Sequence, residues 1–193
     1  CTALSQFILY TSWVLYTTFK FGWGPMQNGW SLFTVGLTSA LVQGLVLGRL
    51  LKRHSPRRLA VVGLISSTLA YFAWGAATQG WMIFAVILCN LLGFTVSASL
   101  QSIVSGAADA SLQGKTMGAV SGLQRLMAVI APVLSAPLLG IVSQLPRGDW
   151  RIGTPFYFCG VLQAAALLLA ILHFRSARRA RLATATPDAA GAT

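Results

Sequence analysis

The chain alternates long apolar stretches with short breaks rich in polar residues, glycine or proline. Six stretches have the length of a membrane helix, approximately 2–19, 30–50, 59–77, 81–104, 116–145 and 154–174. A bilayer core about 30 Å thick needs roughly 20 apolar residues at about 1.5 Å each. Together the stretches consume most of the chain and leave no room for a soluble domain. Six buried core helices would need amphipathic helices around them, and none is present. The pattern therefore predicts an all-α membrane protein with six transmembrane helices in residues 1–175. The tail, 176–193, is basic at first, then rich in Ala and Thr, and is expected to be disordered. Between the stretches, 20–29 (KFGWGPMQNG) reads as an interfacial turn, 78–80 as a tight turn, and 105–115 and 145–153 as polar connections. The first stretch lacks the basic start and cleavage-like end of a signal peptide. Because the chain opens Cys1-Thr2, an upstream part is expected.

Composition agrees with this reading, and charge adds an orientation. Hydrophobic residues make up 55% and charged residues 9%, against roughly a quarter charged in ordinary soluble domains. Fourteen Lys and Arg face three Asp and no Glu, a net charge of +11. In a soluble protein that excess would suggest nucleic acid. Here ten of the basic residues fall on one side of the predicted spans: Arg49, Lys52, Arg53, Arg57, Arg58, Lys115, Arg175, Arg178, Arg179 and Arg181. Three fall on the other: Lys20, Arg147 and Arg151. The positive-inside rule places the ten, and with them the C-terminus, in the cytoplasm. The excess thus reflects topology, and no nucleic-acid partner is expected. Three scattered cysteines suit neither a disulfide framework nor a zinc site. Without Glu there is no H-E-x-x-H metalloprotease motif, and Ser121 has no intramembrane histidine beside it. No metal, cofactor or catalysis is expected.

Polar residues inside the spans are the candidates for function. Gln6, Tyr10, Trp13 and Thr17 recur at helical spacing on one face of the first span. Such a stripe should avoid lipid, so it either lines a water-filled cavity or bonds a neighbouring helix. In the second span Thr34 and Thr38 share a face, with Gln43 deeper. In the fourth, Asn90, Ser97 and Gln101 share one. Substrate contact and interhelical bonding stay open for Gln43 and Asn90. In the fifth, Gly114, Gly118, Ser121 or Gly122 and Arg125 form a stripe of mostly small residues suited to close helix approach. Pro132 and Pro137 should kink that helix. Arg125 lies about 15 Å along the helix from Lys115, near mid-membrane, where an arginine costs about 2.5–3.5 kcal/mol. No carboxylate lies in any span, so its partner is a carbonyl, water, an anionic substrate or a group outside the chain. With Gln124 it is expected to face a cavity.

The stretch Gly48-x-x-x-Lys52-Arg53-x-Ser55-x-Arg57-Arg58 resembles the loop motif of the major facilitator superfamily between the second and third helices of a six-helix half. Ser99-Leu100-Gln101, Ser105, Gln113-Gly114, Gly118 and Ala131-Pro132 resemble the tenth and eleventh helices of the tetracycline-resistance type of drug–proton antiporter. Tyr10-Thr-Ser-Trp-Val-Leu-Tyr16, Phe21-Gly-Trp23 and Val42-Gln43-Gly44 are similar to its seventh and eighth. The resemblance covers nearly all of residues 3–175. It implies the C-terminal half of a twelve-helix bundle in a bacterial inner membrane, whose partners are a small-molecule substrate, protons, the lipid bilayer and a missing N-terminal six-helix half. It also implies that the first, second, fourth and fifth spans surround the substrate cavity. The sequence departs from the family pattern at Ala98, Ser55, Pro56 and Ala131. A small or hydroxyl residue is expected where Arg125 stands, and a fixed positive charge there disfavours a cationic drug chelate. The rival expectation is a non-transporting six-helix membrane component or an inactive truncated product.

Overall fold

The computed structural model describes residues 1–107, 112–146 and 149–184, and among them every regular element is helical. α1 (Thr2–Phe21) ends where Gly22 enters the left-handed region at φ 67° and its N–H bonds back to the Thr18 carbonyl. α2 (Pro25–Leu41) begins three residues later, with Pro25 at its first position. The Gln27 side chain accepts from the Gly24 N–H at 3.1 Å. The turn expected at 20–29 is thus only Gly22–Gly24, because proline pre-sets the helical φ and Gln27 caps the helix start. α2 continues through a π-helical segment (Val42–Val46) into α3 (Leu47–Arg53). α4 (Pro56–Ala76) follows after a two-residue turn.

The stretch expected as one span at 81–104 is broken. α5 (Gly80–Cys89) and α6 (Val96–Ala107) flank a 3₁₀ turn at Gly93–Thr95, and the two arms are bent by 55°. α7 (Gln113–Val142) runs for 30 residues and stays helical through Pro132 and Pro137. A short 3₁₀ turn at Trp150–Gly153 leads into α8 (Thr154–Thr184). α8 outruns the expected end at 174 because Ser-Ala-Arg-Arg-Ala-Arg-Leu-Ala is made mostly of good helix formers. Residues 185–193, where disorder was expected, lie outside the described residues.

Among the described residues four helices are long and apolar enough to cross a membrane: Pro25–Arg53, Pro56–Ala76, Gln113–Val142 and Trp150–Ser176. The bent pair makes a fifth if its arms form one span. The expected count of six is not met by length and apolarity alone. α1 has the length, at 20 residues, but carries Ser5, Gln6, Thr11, Ser12, Thr17, Thr18 and Lys20.

Most of those polar groups are accommodated by hydrogen bonds; α1 packs mainly against α7 and α8, while α4 packs most heavily on α8. Thr11 and Thr17 bond carbonyls of their own helix, and Thr11 also reaches Ser135 on α7 at 3.1 Å. The core between α1, α4 and α8 is aromatic. Trp13 meets Trp74 edge to face at 5.4 Å, and Tyr16 lies 4.3 Å from Phe156. The Tyr16 hydroxyl donates to the Trp74 carbonyl, and Lys20 Nζ donates to the Gly75 carbonyl at 2.8 Å. Both therefore bond carbonyls in the last turn of α4. Lys20, expected in a loop, sits in the last turn of α1 and is 8% exposed.

Candidate functional site

A cavity of about 380 Å³ opens between α1, α2 and the broken α5–α6 span, backed by α4 and α8. α1 supplies Gln6, Tyr10 and Trp13. The first two are joined by a 3.2 Å bond from Gln6 Nε2 to the Tyr10 hydroxyl. Trp13 is buried, and its indole N–H is bound to Ser31 Oγ at 3.0 Å, which fixes its ring as a wall. Ser39 and Gln43 come from α2 and the π-helical segment, linked at 2.7 Å. Ser67, Tyr71 and Trp74 come from α4, Asn90 and Ser97 from the broken span, and Gln163 from α8.

Two buried amides are held in place from behind. Asn90 Oδ1 accepts from Ser66 at 2.9 Å, and Gln163 Oε1 accepts from Ser5 at 3.0 Å. With their oxygens engaged, the two –NH₂ groups make no further hydrogen bond to a described residue. Among the described residues no lysine, arginine, histidine or aspartate lines the cavity. Its chemistry is therefore amide and hydroxyl hydrogen bonding beside aromatic faces, in a volume within the usual range for a small-molecule pocket.

The backbone is irregular on the cavity wall. The π-helical segment carries Gln43, the bend in the broken span carries Asn90, and the segment touches the 3₁₀ turn that follows the bend. Gly93 lets that turn close. A side-chain carbon there would collide with Asn90 Oδ1 and lie 2.6 Å from Ser67 Oγ. π-helical turns are frequent at functional sites, and broken helices occur in membranes where they border a cavity or buried protein.

Of the residues singled out in sequence, the structure brings Gln6, Tyr10, Trp13, Gln43, Asn90 and Ser97 together. Thr17 lies outside the cavity, bonding Asn28 between α1 and α2. Thr38 is buried but does not line it. Gln101, exposed on α6, also stays out, one turn beyond Ser97, which does line the cavity. Gln124 and Arg125 are on α7, which packs against a different face of α1, where Thr11 bonds Ser135. The fifth span thus contributes nothing to the walls of this cavity. Arg125 is exposed and makes no hydrogen bond to a described residue. The expected close-packing stripe is also unpartnered here: added carbons at Gly114, Gly118 and Gly122 would meet nothing described within 4 Å. The loop-motif residues Gly48, Lys52, Arg53, Arg57 and Arg58 flank the turn between α3 and α4, all exposed. Sequence reasoning passed over Ser67, Tyr71 and Trp74, although their i, i+4, i+7 spacing is a helical stripe. It also passed over Gln163, the one amide in the last span.

Membrane-length helices around an uncharged polar cavity, with irregular backbone at its wall, define a polytopic helical membrane protein. The chain belongs to the major facilitator superfamily, whose family model matches residues 1–191. It is 36% identical over 160 residues to the tetracycline resistance protein, class D, of Salmonella ordonez, covering 82% of this chain and 40% of that protein. It is 33% identical over 164 residues to the class E protein of Escherichia coli, covering 84% and 39%. To the class B protein of Escherichia coli it is 30% identical over 162 residues, covering 82% and 40%. The chain thus spans about two fifths of the length of these relatives. No solved structure matches it.

Proposed function

We propose that the chain forms the C-terminal six-helix half of a twelve-helix secondary transporter that expels a small molecule, of the tetracycline-like drug class, in exchange for protons. The uncharged cavity of about 380 Å³ carries this reading. It is this half's share of the substrate path, and Asn90 and Gln163 present donors to the polar groups of a polycyclic drug while Trp13 and Tyr71 offer ring faces. The relatives named for tetracycline resistance support the substrate class. α1 and the bent α5–α6 pair count as spans, since the polar groups of α1 are largely bonded within the bundle rather than turned to lipid. The ten-against-three distribution of basic residues supports a cytoplasmic C-terminus in a bacterial inner membrane.

Proton coupling needs a group whose protonation changes with substrate binding, usually an intramembrane carboxylate. Asp109, Asp149 and Asp188 are the only acids in the sequence, and all lie outside the spans. Asp149 accepts from the Arg151 backbone N–H at 2.9 Å. The coupling acid therefore belongs to an N-terminal half. Arg125 is available to a carboxylate of that half or to an anionic group on the substrate.

The test is proton-driven drug uptake in everted vesicles. The coding region extended upstream to its start codon is expected to give uptake that collapses with the proton gradient. The 193 residues reconstituted alone should give none. Coupled uptake by the isolated chain refutes the half-transporter reading. Absence of drug-stimulated proton flux from the extended protein refutes the substrate class.

A further inference from the structure

We propose that the end of the bundle formed by the α3–α4 turn and the outer part of α8 is a binding site for the headgroup of an anionic phospholipid. α3 closes on Lys52-Arg53, His54 and Ser55 make the turn, and α4 opens Pro56-Arg57-Arg58. Four cationic side chains therefore leave the backbone within seven residues. α4 and α8 run antiparallel along their contact: Gly75 meets Gly153 at one end, and Arg57 meets Phe174 at the other. The Arg57 guanidinium stands 5.7 Å from the centre of the Phe174 ring, which holds the arginine at the junction of the two helices. Arg175 follows on α8, and the same helix carries Arg178, Arg179 and Arg181 onward to its end at Thr184.

Among the described residues the cluster has no counter-charge. Lys52, Arg53, Arg57, Arg58 and Arg175 are exposed, and no ion pair forms among the described residues. Asp109 and Asp188 are the acids that the sequence places on this side, and both lie outside the described residues. Cations brought this close repel one another until an anion joins them.

Depth in the bilayer selects the anion. About 20 residues of α8 from Thr154 span a hydrocarbon core of about 30 Å, which puts Phe174 and Arg175 at headgroup level. Below this end both helices expose aliphatic side chains that suit acyl tails, Val62 and Leu69 on α4 and Leu168 and Leu172 on α8. A phosphodiester tethered to acyl chains meets both the guanidinium groups and this apolar surface, whereas a soluble anion uses only the first. Basic pockets between membrane helices are known lipid-headgroup sites. The proposal requires the helices to lie in a bilayer. It does not require transport, a particular orientation or a second half.

The purified chain in nonionic detergent can be unfolded thermally, read by the emission of its six tryptophans. The additives are short-chain phosphatidylglycerol, phosphatidylcholine with the same chains, free glycerol phosphate and an acidic peptide. Phosphatidylglycerol alone is expected to raise the midpoint, and to saturate. Removing a basic residue near a membrane surface weakens lipid attraction about fivefold. Arg57→Ala with Arg175→Ala should therefore raise the half-saturating concentration about 25-fold, while Arg151→Ala at the opposite end leaves it unchanged. If the double variant shows no cooperative unfolding, wild type decides: raising salt from about 0.05 to 0.5 M should weaken the lipid effect at least about tenfold. Equal protection by phosphatidylcholine, glycerol phosphate or the peptide overturns the proposal, as does wild-type lipid affinity in the double variant.

Discussion

Gly63 offers the sharpest test of the packing that shapes the cavity. It lies on α4 against the bend of the α5–α6 span. A side-chain carbon at Gly63 would sit 2.7 Å from the Leu92 carbonyl oxygen and 2.7 Å from Val96 Cγ2. Ordinary contact begins at 3.4 Å, so Gly63→Ala must part α4 from the bend by the difference, about 0.7 Å. The carbonyl cannot yield by a rotamer change, since it accepts from Thr95 N–H at 3.1 Å and from Thr95 Oγ1 at 2.7 Å. Overpacking of this kind costs about 1–3 kcal/mol. At roughly 2–4 °C per kcal/mol for a chain of this size, the midpoint should fall by about 2–12 °C. Thermal unfolding in detergent, followed by tryptophan emission, reads the change. Gly118→Ala is the control, because nothing described lies within 4 Å of the added carbon. Relief of glycine's backbone entropy should leave its midpoint equal or higher. If Gly63→Ala melts with wild type, or Gly118→Ala falls as far, the close approach of α4 to the bend is wrong.

Three further outcomes are expected. Lys20→Met keeps the aliphatic stem but removes the charge-assisted bond to the Gly75 carbonyl, so it should cost about 1–3 kcal/mol in the same melt; no loss would mean that Lys20 does not hold the end of α4. In the full-length transporter, Arg125→Ala should abolish or redirect transport while inserted protein stays at wild-type level, with Arg125→Lys a partial rescue because it lacks the planar fork; normal transport by inserted Arg125→Ala would show that the residue does not serve the substrate path. A reporter active only in the cytoplasm should work when fused after Arg58 or Arg181 and stay silent after Gly80 or Arg147, and the reverse pattern would invert the topology.

Hydropathy by itself determined that this is a helical membrane protein, because a run of 20 apolar residues has few other stable homes. It located the helices to within a few residues at most ends, since prolines and glycines punctuate them: Pro25 and Pro56 each open one, and Gly22 closes one. Periodicity on α1 was enough to bring Gln6, Tyr10 and Trp13 to one cavity wall, because three turns of one helix share a face whatever surrounds them. The same rule carried less far where the helix was not continuous. Asn90 and Ser97 both reach the cavity across the 55° bend, but Gln101, a turn further along α6, does not. The bend depends on Gly63, Ser66 and Ser67 of another helix meeting Asn90, Gly93 and Val96, a contact that spacing within one span cannot encode. Tertiary packing likewise decided that α7 lies away from the cavity, taking Gln124 and Arg125 with it. It also turned Gln163 inward to Ser5, and it converted Lys20 from a loop charge into a buried donor on the end of α4. In each case the deciding energy is a contact between side chains far apart in sequence, which exists only once the helices are assembled.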